Sequence, residues 1–174
     1  MKSERLMYMP LTKSYAKDLY KLCSNPKVVK YMFCPLKKTI EECNEWIGEL
    51  LSNWDEPNVF VAKYNNVIIG IGGIPCWDKD KGEYGLYYQI SEEYWKMGFG
   101  VEIAEALIEY AFVKCHAQKI GTYVITENKS SIKILEKMRM NLSFTRIGEF
   151  EKDGNVYDEH NYTITKQEWS FKHK

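Results

Sequence analysis

Tyr94-Trp95-Lys96-Met97-Gly98-Phe99-Gly100-Val101-Glu102 is the stretch on which the reading of this chain turns. A run with strand character, residues 83–90, comes before it, and a strongly periodic segment, residues 98–114, comes after. Two glycines at such a strand-to-helix junction let the backbone turn tightly and leave amide N–H groups bare at a helix N-terminus. Those groups and the helix dipole both favour negative charge, so the junction predicts an anion cradle. The junction is not a P-loop, because Gly-x-x-x-x-Gly-Lys-Ser/Thr is absent. It also lacks the third glycine of a dinucleotide fingerprint and sits mid-chain. Alone, glycines at a turn serve geometry about as often as a ligand.

The flanks are read outward from there. On the N-terminal side, residues 4–9 form a first strand. Residues 12–22 carry Tyr15, Leu19 and Leu22 at helical spacing. Residues 26–32 form a short helix ended near Pro35. Thr39-Ile40-Glu41-Glu42 is a capping-box pattern that opens a helix to about residue 53, with Trp46, Ile47, Leu50 and Leu51 on one face. Residues 58–64 and 67–74 form a hairpin around Asn65-Asn66, two residues that tolerate positive φ. The glycines at 70, 72 and 73 predict a bulge in its second strand. Residues 78–82 are a polar turn into the strand at 83–90.

Beyond the junction, Ala104, Ile108 and Phe112 lie on one stripe and Ile103, Leu107 and Ala111 on the next, so this helix packs on a sheet. Residues 119–125 form a strand and residues 128–138 a short helix. Residues 142–150 and 156–164 are two final strands around Asp153-Gly154, and Thr165-Lys166-Gln167-Glu168 caps a last helical turn. The order predicts an α+β fold, a mixed central sheet with helices on both faces, within one domain spanning residues 1–174.

Composition narrows the function. Lys+Arg and Asp+Glu number 24 each, and this zero net charge argues against nucleic-acid and membrane-surface binding. No apolar run approaches the ~18–20 residues of a membrane span, and Met1-Lys2-Ser3-Glu4-Arg5 leads into no signal-peptide apolar segment, so a cytoplasmic protein is expected. The five cysteines, Cys23, Cys34, Cys43, Cys76 and Cys115, include no Cys-x-x-Cys pair; reduced thiols and no metal site are expected. Thirteen tyrosines leave enough aromatics to line a pocket.

Trp95-Lys96-Met97-Gly98-Phe99-Gly100-Val101-Glu102, followed by residues 104–112, resembles the acetyl-CoA pyrophosphate loop and helix of GNAT-superfamily N-acetyltransferases, whose pattern is Gln/Arg-x-x-Gly-x-Gly/Ala. Trp95 in the first slot is similar to the ribosomal-protein alanine acetyltransferase, or Rim-type, branch. Glu127-Asn128-Lys129-Ser130-Ser131 through Leu135-Glu136-Lys137 resembles that branch's Asn-x-x-Ser-x-x-x-Leu-Glu-Lys. Glu4-Arg5-Leu6 at the start and residues 157–169 at the end resemble it too, so an ordered set of motifs covers nearly the whole chain.

The resemblance implies a GNAT-like fold with a splayed strand pair holding acetyl-CoA. It implies a pyrophosphate site at the amides of Lys96, Met97, Gly98, Phe99, Gly100 and Val101, where a Cβ at 98 or 100 blocks close approach. It implies pantetheine contacts from the backbone of Tyr88, Gln89 and Ile90, and CoA contacts from Asn128 and Ser131. The implied chemistry is attack of a neutral amine on the thioester. An amine of pKa ~8–10 needs a base; Glu83 is the candidate, and His160 is second. Ser131 replaces as acid the tyrosine that many relatives carry at the position of Leu135. Asn128 serves equally as a helix N-cap, Ser131 as a helix-start serine and Glu83 as a solvated strand-end residue. Two departures stand out. Met9 occupies a position where relatives have arginine, and Arg139 one where glycine follows the helix, so a different helix exit is expected there. The implied partners are acetyl-CoA and an amine acceptor such as a protein N-terminus or polyamine; a homodimer is compatible. An acyl-CoA-binding sensor without transfer activity, or a nucleotide-binding protein of another kind, are the alternatives.

Overall fold

The computed structural model describes residues 1–53 and 58–171. In chain order the elements are β1 (Met7–Pro10), α1 (Ala16–Cys23), α2 (Pro26–Val29), α3 (Ile40–Ser52), β2 (Val59–Tyr64), β3 (Val67–Gly73), β4 (Cys76–Asp78), β5 (Glu83–Gly85), β6 (Tyr87–Ile90), α4 (Phe99–Val113), β7 (Lys119–Ile125), α5 (Lys129–Lys137), β8 (Asn141–Lys152), β9 (Asn155–Thr165) and α6 (Lys166–Ser170). Short 3-10 turns at Lys13–Tyr15 and Glu92–Tyr94 precede α1 and α4.

Two sheets carry the fold. The first has the order β1-β2-β3-β6 and is antiparallel throughout, while the second has the order β4-β5-β7-β9-β8 and joins β5 to β7 in parallel. The α+β class with helices on both faces holds, and the mixed pairing is confined to the second sheet. On one face of the first sheet, Leu19, Leu22, Trp46 and Ile47 of α1 and α3 pack against Val59, Val61 and Ile71. On the other side α4 bridges both sheets. Ile103, Leu107, Ala111 and Phe112 meet Phe60, Ala62 and Ile69 of the first sheet and Ile120, Tyr162 and Ile164 of the second. Each such fully buried aliphatic or aromatic side chain contributes roughly 1.5–3 kcal/mol, which makes α4 the element that joins the halves.

Several local readings change. Residues 83–90 are not one strand. Glu83–Gly85 runs parallel to Lys119–Gly121. The Leu86 N–H still donates to the Gly121 carbonyl at 2.9 Å. Tyr87–Ile90 then pairs with Gly73–Gly70 of the other sheet. The chain changes partners at Leu86, and beyond it β6 and β7 part to leave a wedge between the sheets. The bulge falls as expected in β3, where the register slips between Ala62 and Lys63 and leaves Ile69 as the extra residue.

The capping box at Thr39 is half formed. Its hydroxyl accepts from the Glu42 N–H, but the Glu42 carboxylate takes the Lys38 N–H at 2.7 Å. The complete box sits at Thr165 and Glu168. The helix exit at Arg139 is not a different one. Arg139 takes the left-handed conformation itself, at φ +56°, and the Met140 N–H bonds the Leu135 carbonyl at 3.0 Å. An arginine thus occupies the backbone position usually given to glycine.

Candidate active site

The glycine stretch forms a loop held at both ends. Trp95 closes the short turn before it, its indole N–H donating to the Ile90 carbonyl at 2.8 Å. Lys96 and Gly98 both have positive φ, +61° and +84°, a conformation that glycine adopts freely and lysine adopts at a cost. Phe99 buries its ring against Tyr64 and Tyr94. Among the described residues the N–H groups of Lys96 through Val101 have no hydrogen-bond acceptor, the next one along being Glu102, which bonds Gly98. Six consecutive bare N–H groups run into the start of a fifteen-residue helix, the kind of backbone on which anions bind.

Gly100 has a packing role that the sequence does not announce. A Cβ there meets the Ile134 Cδ1 at 2.7 Å and the Ile90 Cδ1 at 3.4 Å. Gly100 is small so that α4 can lie against α5 and β6. At Gly98 the nearest atom to an added Cβ is an Arg5 guanidinium nitrogen at 3.4 Å.

The N-terminal segment braces this loop. Arg5 pairs with Glu102 at 2.8 Å, donates to the Met97 carbonyl at 3.0 Å and lies 4.2 Å over the Phe99 ring. Ser3 and the Arg5 N–H also donate to Glu102, at 2.6 and 2.7 Å. Burial pushes the Glu102 carboxyl up, but the bonds from Ser3 and Arg5 outweigh it and hold the group below its ordinary value. A depressed carboxylate stabilises the fold above its unfolded pKa, and that contribution is lost as pH falls through the folded one. Glu102→Gln is therefore expected to lose ~1 kcal/mol at neutral pH, the partly exposed Arg5 limiting the effect. In thermal melts its deficit against the parent should close below pH ~4; a deficit constant with pH would separate Glu102 from this brace.

The wedge is the second part of the site. The Ser91 N–H donates to the Ile69 carbonyl at 2.8 Å, and the Leu86 N–H to Gly121 on the other side. Strand alternation then turns the backbone groups of Tyr87 and Gln89 toward β3 and those of Tyr88 and Ile90 toward the wedge. Of the three residues expected to offer free backbone, Tyr88 does so and Ile90 keeps only its N–H free, because the Trp95 indole takes its carbonyl; the Gln89 backbone is engaged with Ile71.

A cleft of about 500 Å³ runs through the wedge. On the α4 and α5 side, Tyr88, Thr122, Val124, Asn128 and Ser131 line it. The Asn128 side-chain carbonyl caps α5 by accepting the Ser131 N–H at 3.2 Å. The hydroxyls of Tyr88 and Ser131 lie 3.1 Å apart. Burial, opposed by the Ser131 bond, pushes the Tyr88 phenol up to about 12, so it stays protonated and able to donate. The sequence points to Tyr88 for its backbone; no motif marks this phenol.

Glu83 lies outside the cleft lining, its carboxylate 3.4 Å from the Lys119 ammonium. The sheets part only at Leu86, three residues further on. His160 sits on β9, its Nδ1 2.8 Å from the Thr145 hydroxyl.

On the opposite side of the wedge, residues 31–35, Trp46, Glu49 and Leu50 complete the wall. Lys152 pins that segment by donating to the carbonyls of Val29, Met32 and Cys34 at 2.6, 2.7 and 3.0 Å. Phe33 stacks edge-on against Phe150 at 4.8 Å between centroids, tying the same segment to β8. No sequence signal marks this latch, which joins positions more than a hundred residues apart. Among the described residues there is no cluster of side chains suited to a metal ion, and no helix long and apolar enough to cross a membrane.

Residues 5–141 match the family model described as an acetyltransferase (GNAT) domain. The chain is 28% identical over 176 residues to the uncharacterized N-acetyltransferase p20 of Bacillus licheniformis, covering 97% of each. In three dimensions it is similar to spermidine N-acetyltransferase from Vibrio cholerae in complex with CoA and spermine, with a TM-score of 0.84 at 18% identity, covering 95% of this chain and 98% of that one. It is also similar to RimL, a ribosomal alpha-N-protein acetyltransferase in complex with CoA, with a TM-score of 0.86 at 13% identity, covering 95% and 97%. At these identities the two structures speak to the fold.

Proposed function

The chain belongs to the GNAT acetyltransferase family, and we propose that it acetylates a primary amine by direct attack on the thioester of acetyl-CoA, in the manner of the Rim-type branch. The observation that carries this reading is the run of bare N–H groups at residues 96–101 opening beside the unpaired edge of β6. The N–H groups of Lys96 through Val101 would hold the pyrophosphate. The Tyr88 backbone and the Ile90 N–H would hold the pantetheine arm as an added strand, with Asn128 and Ser131 at its side. The donor supplies an acyl carbon already activated as a thioester. A backbone N–H on the wedge edge stabilises developing oxyanion charge. Ser131 and Tyr88 offer paired hydroxyls to the departing sulfur. Leu135, where many relatives have tyrosine, is core at 1% exposure, so the acid falls to this pair.

Acetyl-CoA at millimolar concentration is expected to raise the melting temperature, the gain growing as RT ln(1 + [L]/Kd). Ser131→Ala should lower kcat about tenfold with the acetyl-CoA effect on melting retained. Unchanged turnover removes the hydroxyl from the mechanism. From outside the cleft wall, Glu83 can serve as base only through water. Glu83→Gln should slow turnover at neutral pH more than at high pH, and an unchanged pH profile excludes it. That position also favours a second reading, an acyl-CoA sensor without transfer. Acetyl-CoA binding with no CoA release across a panel of amines would establish the sensor instead.

A further inference from the structure

Among the described residues, two buried polar atoms of the cleft-lining side chains have nothing to bond. The Tyr87 hydroxyl and the Gln89 Oε1 are buried and without a partner among the described residues. Gln89 is 5% exposed, and its Nε2 reaches only the Cys34 sulfur, at 3.8 Å. A buried polar atom left unpaired costs roughly 1–3 kcal/mol, so two on one strand call for a partner. Tyr87 and Gln89 are two apart on β6 and so share one face. Tyr88 and Ile90 pack into the core beneath α4, whereas Tyr87 packs with α1 and α3. The orphan pair therefore lies across the strand from the Tyr88–Ser131 hydroxyls, on the side away from the donor groove.

Much of the wall of the cleft that the pair lines is aromatic or apolar, with Tyr31, Trp46, Leu50, Trp77 and Tyr123 among its residues. Among the described lining residues the charges are one carboxylate, Glu49, and one ammonium, Lys37. A polycation needs several carboxylates to replace its hydration, and this wall offers one, Glu49. An ammonium or amine carried on a hydrophobic body suits it, because aromatic faces accept both.

We propose that the cleft takes as its acceptor a primary amine bearing a single positive charge on an apolar or aromatic body, with Gln89 Oε1 and the Tyr87 hydroxyl as its hydrogen-bond partners. This rests on the acetyltransferase reading and names the acceptor class for that site. The chemistry favours an amide here over a carboxylate. A carboxylate stabilises the ammonium form and raises the amine's pKa, whereas a neutral amide oxygen accepts one N–H and leaves the nitrogen lone pair for attack.

The test is titration calorimetry of the acetyl-CoA-free protein with phenethylamine, spermidine and kanamycin, repeated on Gln89→Met and Tyr87→Phe. Phenethylamine should bind about tenfold more tightly than either polycation. Gln89→Met should weaken phenethylamine about tenfold and raise the melting temperature of the free protein, because an orphan polar atom is gone; a purely structural glutamine would lower both. Tyr87→Phe, which removes one oxygen, gives the same pair of readouts should Gln89→Met fold poorly. Tighter binding of spermidine or kanamycin, or unchanged phenethylamine affinity in both variants, overturns the assignment. Acetyl-CoA is absent from the titration, so a donor that fails to stabilise the protein sinks the donor site separately.

Discussion

Gly98→Asp is expected to weaken acetyl-CoA binding by about two orders of magnitude, while Gly98→Asn leaves it within a few-fold. The two side chains have nearly the same shape, and both tolerate positive φ better than other residues with a Cβ, which matters at φ +84°. Neither meets a backbone clash, since the nearest atom to the new Cβ is an Arg5 guanidinium nitrogen at 3.4 Å. They differ in one charge. A carboxylate ~5 Å from a pyrophosphate charge costs about 3 kcal/mol at an effective dielectric of ~20, and salt screens part of it. Arg5 is already committed to Glu102 and to the Met97 carbonyl, so it is a shared counter-charge for the new group. Titration of acetyl-CoA followed by calorimetry checks the pair. Equal weakening in both variants would mean that bulk rather than charge is excluded there. Equal retention would move the phosphates away from the loop.

The parts of this site that depend on local chain geometry are legible in the sequence itself. Gly98 and the stripes of the following helix specify a bare N-terminus because φ freedom and a 3.6-residue period are properties of neighbouring residues. The parts that depend on which strand lies next door are not. Residues 83–90 alternate like a single strand, and nothing within them marks Leu86 as the point where the partner changes from Gly121 to Gly73. That one transfer decides three things at once: it leaves Glu83 behind the cleft, turns the Tyr88 phenol toward Ser131, and puts the Gln89 side chain, not its backbone, into the cavity. Gly100 shows the same limit. Its spacing matches the family pattern, yet the atom it makes room for, Ile134 Cδ1, comes from a helix thirty-odd residues away. The strand Cys76–Asp78 leaves no mark in the sequence, because three residues beside a turn show no period. It carries Trp77, whose ring lies over Gly85 and Gly121 and walls the wedge where it opens.

Gly70→Val is expected to destabilise the fold by about 3 kcal/mol or more and to lower turnover of the protein that remains folded. The wedge exists because β6 is held tightly against β3 on its far side. At Gly70 an added Cβ stands 2.5 Å from the Gln89 carbonyl oxygen and 3.5 Å from the Ile103 Cδ1. The first contact is with backbone, so no rotamer change relieves it; β6 has to move, or the bulge at Ile69 has to reorganise. Valine adds two methyl groups directed into the interface with α4, where Ile103 and Leu107 are fully packed. Moving β6 shifts the Tyr88 hydroxyl from Ser131 and the orphan pair from the acceptor wall, so the catalytic loss should exceed what the unfolded fraction explains. Urea unfolding reads the first effect, and CoA release per folded molecule, well below the transition, reads the second. Val67→Ala is the control on the same strand: Val67 is 51% exposed at the hairpin end, and its truncation should stay within ~0.5 kcal/mol of the parent. A Gly70→Val protein as stable as the parent would show that β3 and β6 have room between them, and the close approach that opens the wedge would need another cause.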